Sequence, residues 1–231
     1  MTDLAKLELK RGFDRRLRVG APWIFANEVL MTDEVRALPP GSLARLALPG
    51  GRLYGLVHVN PHALIVARLL TRNLESAIDA AFFARRFERA LALRERFLPG
   101  GYYRLVHGEG DGLPGLVVDR YGEVLVVQPN TAGMDRDVEA IVDGARQALR
   151  PAGIVVRRDS RAREREGLEI VPAQVEGVVE PPIDVREGDL AALADPIAGQ
   201  KTGWFFDQRG NRATIRRLAA GARVLDLYSY A

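Results

Sequence analysis

Cysteine is missing from all 231 residues, which removes disulfides and thiolate metal ligands from consideration without fixing the compartment. Histidine is scarce as well. His58, His62 and His107 stand apart, with no partner at zinc-type spacing, so no metal site is expected. No apolar run reaches the length of a membrane span, and no signal-peptide core follows the N-terminus. The expectation is a cytoplasmic chain without a membrane partner. Lysine is nearly absent too, at three (Lys6, Lys10 and Lys201) against thirty arginines. The net charge is only +3. Arginine suits phosphate and base recognition through its planar, forked guanidinium, although a GC-rich genome enriches it everywhere. Internal repeats and low-complexity tracts are also missing.

What remains is an ordinary globular composition, 47% apolar and 27% charged, with room for one large or two small cores. Residues 1–73 alternate short apolar runs with Gly and Pro. Leu43–Leu48, Leu53–Val59 and Leu64–Leu70 read as strands of a small β-barrel-like module. Glu75–Leu98 reads as a helix stopped by Pro99-Gly100-Gly101, and residues 74–99 form a linking segment. Its Phe82, Phe83 and Phe87 make a broad apolar face, while Arg85, Arg89 and Arg96 line up as a solvated face or a phosphate track.

Residues 100–196 read as an α+β domain in strand-strand-helix-strand-strand order. A hairpin is expected at Leu116–Asp119 and Val124–Val127, and a helix over Met134–Leu149. A strand follows at Ile154–Arg157, then a hairpin over residues 182–194. The Arg157–Glu166 charge run reads as a salt-bridged helix face, with an RNA contact as its alternative. Val224–Leu227 reads as a short buried strand carrying one acid, entering a small-residue turn at Tyr228–Ala231.

Two constellations carry chemistry. Lys6, Lys10, Arg11, Arg15, Arg16 and Arg18 face only Asp3, Glu8 and Asp14, with Trp23 and Phe25 nearby for stacking. That mixture suits RNA, with Lys10, Arg11, Arg15, Arg16, Arg18 and Trp23 as the RNA-binding candidates. Gly199–Arg212 gathers an amide, an ammonium, a hydroxyl, a carboxylate, two guanidiniums and glycines within 14 residues. Its bland reading is a capped helix start around Asp207, which leaves Gln200-Lys201-Thr202-Gly203 without a purpose.

This second stretch, GQKTG then DQR then NR, resembles a motif in class I S-adenosylmethionine (SAM)-dependent ribosomal RNA methyltransferases with an N-terminal PUA domain. In that family it precedes a first strand reading roughly V-L-D-x-F-S-Y-x-G-G-F, matched here through Ala231. Leu9–Arg18 with Pro22–Phe25, and Gly110–Asp119, resemble the PUA and central domains of the same family. The resemblance implies a PUA-like RNA-binding barrel and the opening strand of a Rossmann-like methyltransferase domain over 197–231, so the chain reads as stopping inside the catalytic domain. It places Gln200, Lys201, Thr202, Gly203, Asp207, Arg209 and Asp226 around the cofactor SAM. It implies methylation at carbon 5 of a cytosine in large-subunit ribosomal RNA. Such chemistry uses a cysteine thiolate to activate the base, and that nucleophile is expected beyond Ala231. Residues 1–231 alone are expected to be inactive. The alternatives are a non-catalytic PUA-type RNA-binding adaptor and a degenerate gene product. Oligomeric state is not legible, and a homodimer stays open.

Overall fold

The computed structural model describes residues 4–227. Asp3 and the turn expected at Tyr228–Ala231 lie outside the described residues.

The first unit is built on β1 (Lys6–Glu8), β2 (Trp23–Ile24), β3 (Ser42–Ala47), β4 (Leu53–Val59) and β5 (Ala67–Thr71). They form one sheet in the order β1-β3-β4-β5-β2, with β1–β3 parallel and the other pairs antiparallel. Alternation sets the faces: Ala44 and Leu46 of β3 point inward with Leu7, Ile24, Val57 and Val59. Two one-turn helices, α1 (Arg15–Arg18) and α2 (Asp33–Arg36), add Leu17 and Val35 to that core. The strand expected at Leu64–Leu70 starts later, at Ala67. Leu64 is exposed, and its carbonyl accepts from Ala26 N–H in a turn instead.

Helix α3 (Ala80–Glu95) begins five residues after the expected Glu75. Asn73 Oδ1 takes the Glu75 N–H at 3.1 Å, and Asp79 Oδ1 takes the Phe82 N–H at 2.9 Å. Side-chain acceptors thus hold the backbone in turns until Asp79 caps the helix.

The second unit centres on β6 (Tyr102–His107), β7 (Leu116–Tyr121), β8 (Val124–Pro129), β9 (Gly153–Arg158) and β10 (Val171–Gly177), ordered β10-β9-β8-β7-β6. Its one parallel pair, β8–β9, is bridged by α4 (Ala132–Arg136) and α5 (Val138–Leu149). The single helix expected over Met134–Leu149 is therefore two, jointed at Asp137. Helices α3 and α5 cover one sheet face, packing Phe83, Phe87, Ile141 and Ala145 on Leu105, Val118, Leu125 and Val127. Gly144 permits that contact, since a Cβ there would lie 2.7 Å from the Ala80 carbonyl oxygen. The other face, with Tyr121, Val126 and Val155, is covered by the hairpin β11 (Ile183–Glu187) and β12 (Leu190–Ala194) and by Trp204.

The Arg157–Glu166 run is not a helix face. It is the end of β9, a loop and one 3-10 turn at Arg163–Glu166. Arg157 and Arg163 are buried because their guanidiniums meet Asp159 and Asp135 and several carbonyls. Val224–Leu227 is no strand either: Val224 and Leu225 are exposed, and no strand pairs with the segment among the described residues. A short apolar run needs a neighbouring ladder to take up its backbone groups. Ahead of it, α6 (Arg209–Leu218) keeps Ile215 and Leu218 exposed.

The two units are joined by polar contacts spanning more than 70 residues of sequence. His58 Nε2 lies 2.8 Å from Asp137 Oδ2, Asn60 Nδ2 donates to Glu166, and Arg68 meets the same carboxylate at 2.6 Å. Each group is largely buried, so the contact resists separation.

Candidate functional site

The N-terminal basic cluster occupies α1 and its flanks on the first unit. Lys10, Arg11, Arg15, Arg16 and Arg18 are all exposed. They are not equivalent. Arg16 meets the buried Glu28 carboxylate at 3.1 Å and lies over the Phe25 ring, so it belongs to the scaffold. Arg18 reaches Asp14 at 2.6 Å, and Lys10 Nζ donates to the Asn27 carbonyl at 3.0 Å. The hydrogen bond from Arg18 is the main cause holding the Asp14 carboxyl below its usual range. Arg11 and Arg15 form no ion pair among the described residues. Arg11 and Arg18 line an open cleft of about 460 Å³ with Asp14, Leu48, Pro49 and Arg52. Arg52 was missed at the sequence level. It stands alone after the Pro49-Gly50-Gly51 turn, and only the β3–β4 pairing brings it beside α1.

Trp23 lies away from that cleft's lining. Its indole N–H donates to Glu109 Oε1 at 2.7 Å, across the seam with the second unit, and it stays partly exposed. The hydrogen bond anchors one edge of the ring while part of its surface stays exposed.

The residues expected around SAM divide in two. Thr202 is fully buried and its hydroxyl donates to Asp119 Oδ2 at 2.5 Å. Asp119, also fully buried, accepts two bonds from Arg104, each 3.0 Å. Burial works to lower the Arg104 pKa, but the bonds and charge of Asp119 outweigh it and the net shift is upward. The Tyr121 hydroxyl closes the ring by donating to the Thr202 carbonyl at 3.0 Å. Gly203 has φ +106°, and a Cβ there would lie 2.6 Å from the Asp195 oxygen. Its close approach is to this chain's own backbone.

Arg209 donates to the Tyr102 carbonyl and lies 3.5 Å from Glu187, its buried Nε making an ion pair without a hydrogen bond. Arg212 meets Glu187 at 2.6 Å and stacks over Trp204, whose N–H donates to the same carboxylate at 2.9 Å. Glu187, another residue the sequence reading missed, thus gathers three side chains of the motif.

Gln200, Lys201 and Asp207 are exposed, with Lys201 Nζ 4.2 Å over the Phe205 ring. Asp207 makes no cap for α6. Asp226 is exposed and forms no hydrogen bond or ion pair among the described residues. Thr202, Gly203 and Arg209 spend their polar groups and space on the protein, whereas Gln200, Lys201, Asp207 and Asp226 are exposed.

Among the described residues no cluster of three acids or histidines could hold a metal, and no helix is long and apolar enough to cross a membrane.

Residues 7–72 match the family model of a PUA-like domain. Over 97% of its length the chain is 35% identical to the ribosomal RNA large subunit methyltransferase I of Shewanella denitrificans. It is 34% identical over 100% of its length to that of Klebsiella pneumoniae. The chain spans 57% and 58% of those relatives. A solved putative SAM-dependent methyltransferase from Streptococcus mutans superposes on 92% of this chain with a TM-score of 0.74, covering 54% of its own length at 18% identity. A second putative methyltransferase, complexed with SAH, covers 90% of this chain at TM-score 0.73, with 52% of its own length matched and 18% identity. At that identity the superpositions speak for the fold alone. The resemblance drawn from the sequence is borne out: residues 7–72 match the model of a PUA-like domain, and along nearly its whole length the chain is similar to ribosomal RNA large subunit methyltransferase I, of which it spans 57%.

Proposed function

We propose that this chain is the RNA-engaging part of a SAM-dependent ribosomal RNA methyltransferase acting in the cytoplasm on carbon 5 of a cytosine in large-subunit RNA. The observation that carries the reading is the face around α1. Arg11 and Arg15 lack counter-ions among the described residues, and Arg11 opens onto a cleft shared with Arg18 and Arg52. It lies on a PUA-like domain fastened to the second unit by the buried Arg68–Glu166 ion pair and the His58–Asp137 hydrogen bond. Guanidiniums without protein partners are available for phosphate.

The 199–212 segment has two jobs in this reading. Thr202, Gly203, Arg209 and Arg212 fix the segment to the central sheet and to Glu187. Gln200, Lys201 and Asp207 offer exposed side chains to cofactor and RNA, and Asp226 joins them only if residues 224–227 enter a sheet. The functional units are 1–73 for RNA, 74–99 as link, 100–196 as central support and 197–231 as the approach to catalysis. Residues 1–231 by themselves transfer no methyl group, for they contain no cysteine to add to the base. Incorporation of labelled methyl by these residues alone would remove that part.

The test is RNA affinity against salt. Arg11→Glu with Arg15→Glu should lower the magnitude of the log–log slope by about 1.4 to 1.8, at ~0.7 to 0.9 per lost phosphate contact. Arg16 is left alone because its pairing with Glu28 is structural. An unchanged slope rejects this face. The PUA-type adaptor without a catalytic role predicts the same slope, and differs in that the protein as its own cells make it would transfer no labelled methyl to ribosomal RNA.

A further inference from the structure

Helix α3 carries charge that neither the core nor the α1 face uses. Arg86, Arg89 and Arg96 lie at i, i+3 and i+10 and line a cleft of about 550 Å³. Its far wall is the one-turn 3-10 segment Gly108–Asp111 with Gly112, between β6 and β7. Two carboxylates stand in that wall, and both are engaged. Asp111 accepts from Arg94 at 2.6 Å and from the His107 N–H at 2.7 Å. Glu109 accepts from Trp23 at 2.7 Å.

Arg94 balances Asp111, whereas the neutral indole leaves Glu109 its charge, so three arginines face one uncompensated carboxylate and the cleft is net positive. Arg89 and Arg96 form no ion pair among the described residues, and Arg86 makes only a bond to the Leu70 carbonyl and a contact with the Phe82 ring. The Arg86 pKa is pushed down, first by burial and then by repulsion from Arg89 and Arg85. A cluster of like charges in excess of the acid beside it is relieved by a bound anion. Glu109 is common to cleft and seam: the carboxylate that lines the cleft also holds the partly exposed Trp23 indole of the first unit. The two units thus bring a cationic cleft and a partly exposed indole together around one side chain.

We propose that this cleft is a second RNA contact, where successive phosphodiesters of a single strand sit along Arg86, Arg89 and Arg96 and a base stacks on Trp23. It rests on the RNA-binding reading given above, and differs from it in site and residues. Stacking platforms beside a basic groove are how single strands are held without sequence readout.

Indole fluorescence tests it in the full chain, titrated with a single-stranded oligouridylate. Trp204 is 5% exposed and Trp23 39%, so Trp23 dominates any quenching by RNA. The expected result is quenching that disappears in Trp23→Phe and weakens in Arg89→Ala/Arg96→Ala. The double variant should lose about 1.4 from the salt slope, for two single-strand contacts at ~0.7 each. Both arginines are exposed, so an unshifted melting curve confirms the fold. Quenching and slope unchanged in the double variant, with the slope reduced by Arg11→Glu/Arg15→Glu, would overturn the cleft and leave the α1 face standing. No binding by the unsubstituted chain would overturn both.

Discussion

Replacing Thr202 by Val asks whether the GQKTG stretch is held by the central sheet. The Thr202 hydroxyl donates to Asp119 at 2.5 Å, and both residues are fully buried. Val keeps nearly the same volume and removes the donor. Asp119 keeps its two bonds to Arg104 but loses one of three. A buried hydrogen bond to a charged group contributes about 1.5–3 kcal/mol. For a chain of this size ~2 kcal/mol corresponds to a fall in Tm of about 4–8 °C. Thr202→Ser, which retains the hydroxyl, should lose much less. Circular dichroism melting gives the first number, and hydrogen exchange of the 199–212 amides says where the loss falls. A Val variant within ~0.5 kcal/mol of the parent, the scatter of neutral substitutions, with unaltered exchange would refute the lock. Thr202 would then be free to serve a ligand.

Gly203→Ala should destabilise the same segment by about 1–3 kcal/mol from backbone strain at φ +106°, and by more from the clash with Asp195. A melt indistinguishable from the parent would contradict the assigned backbone. Asp135 supplies a pH test. Burial tends to raise its carboxyl, but bonds and charges from Arg163 and Arg158 outweigh burial and leave it below the ordinary value. A depressed carboxyl stabilises the fold above its unfolded pKa, near ~3.9, and that contribution is lost as pH falls toward the folded value. Urea midpoints should therefore drop below about pH 4, and Asp135→Asn should flatten this acid limb while lowering stability at neutral pH. A parallel acid limb in the variant would remove Asp135 as a cause.

Much of this architecture was legible because its signals are local. Leu53–Val59 and Leu116–Asp119 alternate or run apolar beside Gly and Pro turns, and they are strands. The phenylalanines of α3 announced a helix packed in a core. Strand β10 was missed because Val171–Gly177 is half exposed and carries Gln174 and Glu176, giving no apolar run. The Arg157–Glu166 run misled because charge pairing looks alike on a helix and in a loop. The 199–212 segment was recognised as special by its chemistry, but its partners could not be read. Thr202 meets Asp119 83 positions away, and Arg209 meets Tyr102 107 positions away. The same holds for Trp23, read as a stacking residue and found braced by Glu109 at a separation of 86. Pattern locates elements, and only tertiary structure decides which polar groups are spent internally.

The most direct measurement is ultraviolet crosslinking of this chain to large-subunit ribosomal RNA, with the crosslinked peptides identified by mass spectrometry. The account predicts adducts in residues 10–23 and 85–96, the α1 face with Trp23 and the α3 cleft. Adducts confined to the exposed side of α5, or none on either surface, would contradict it.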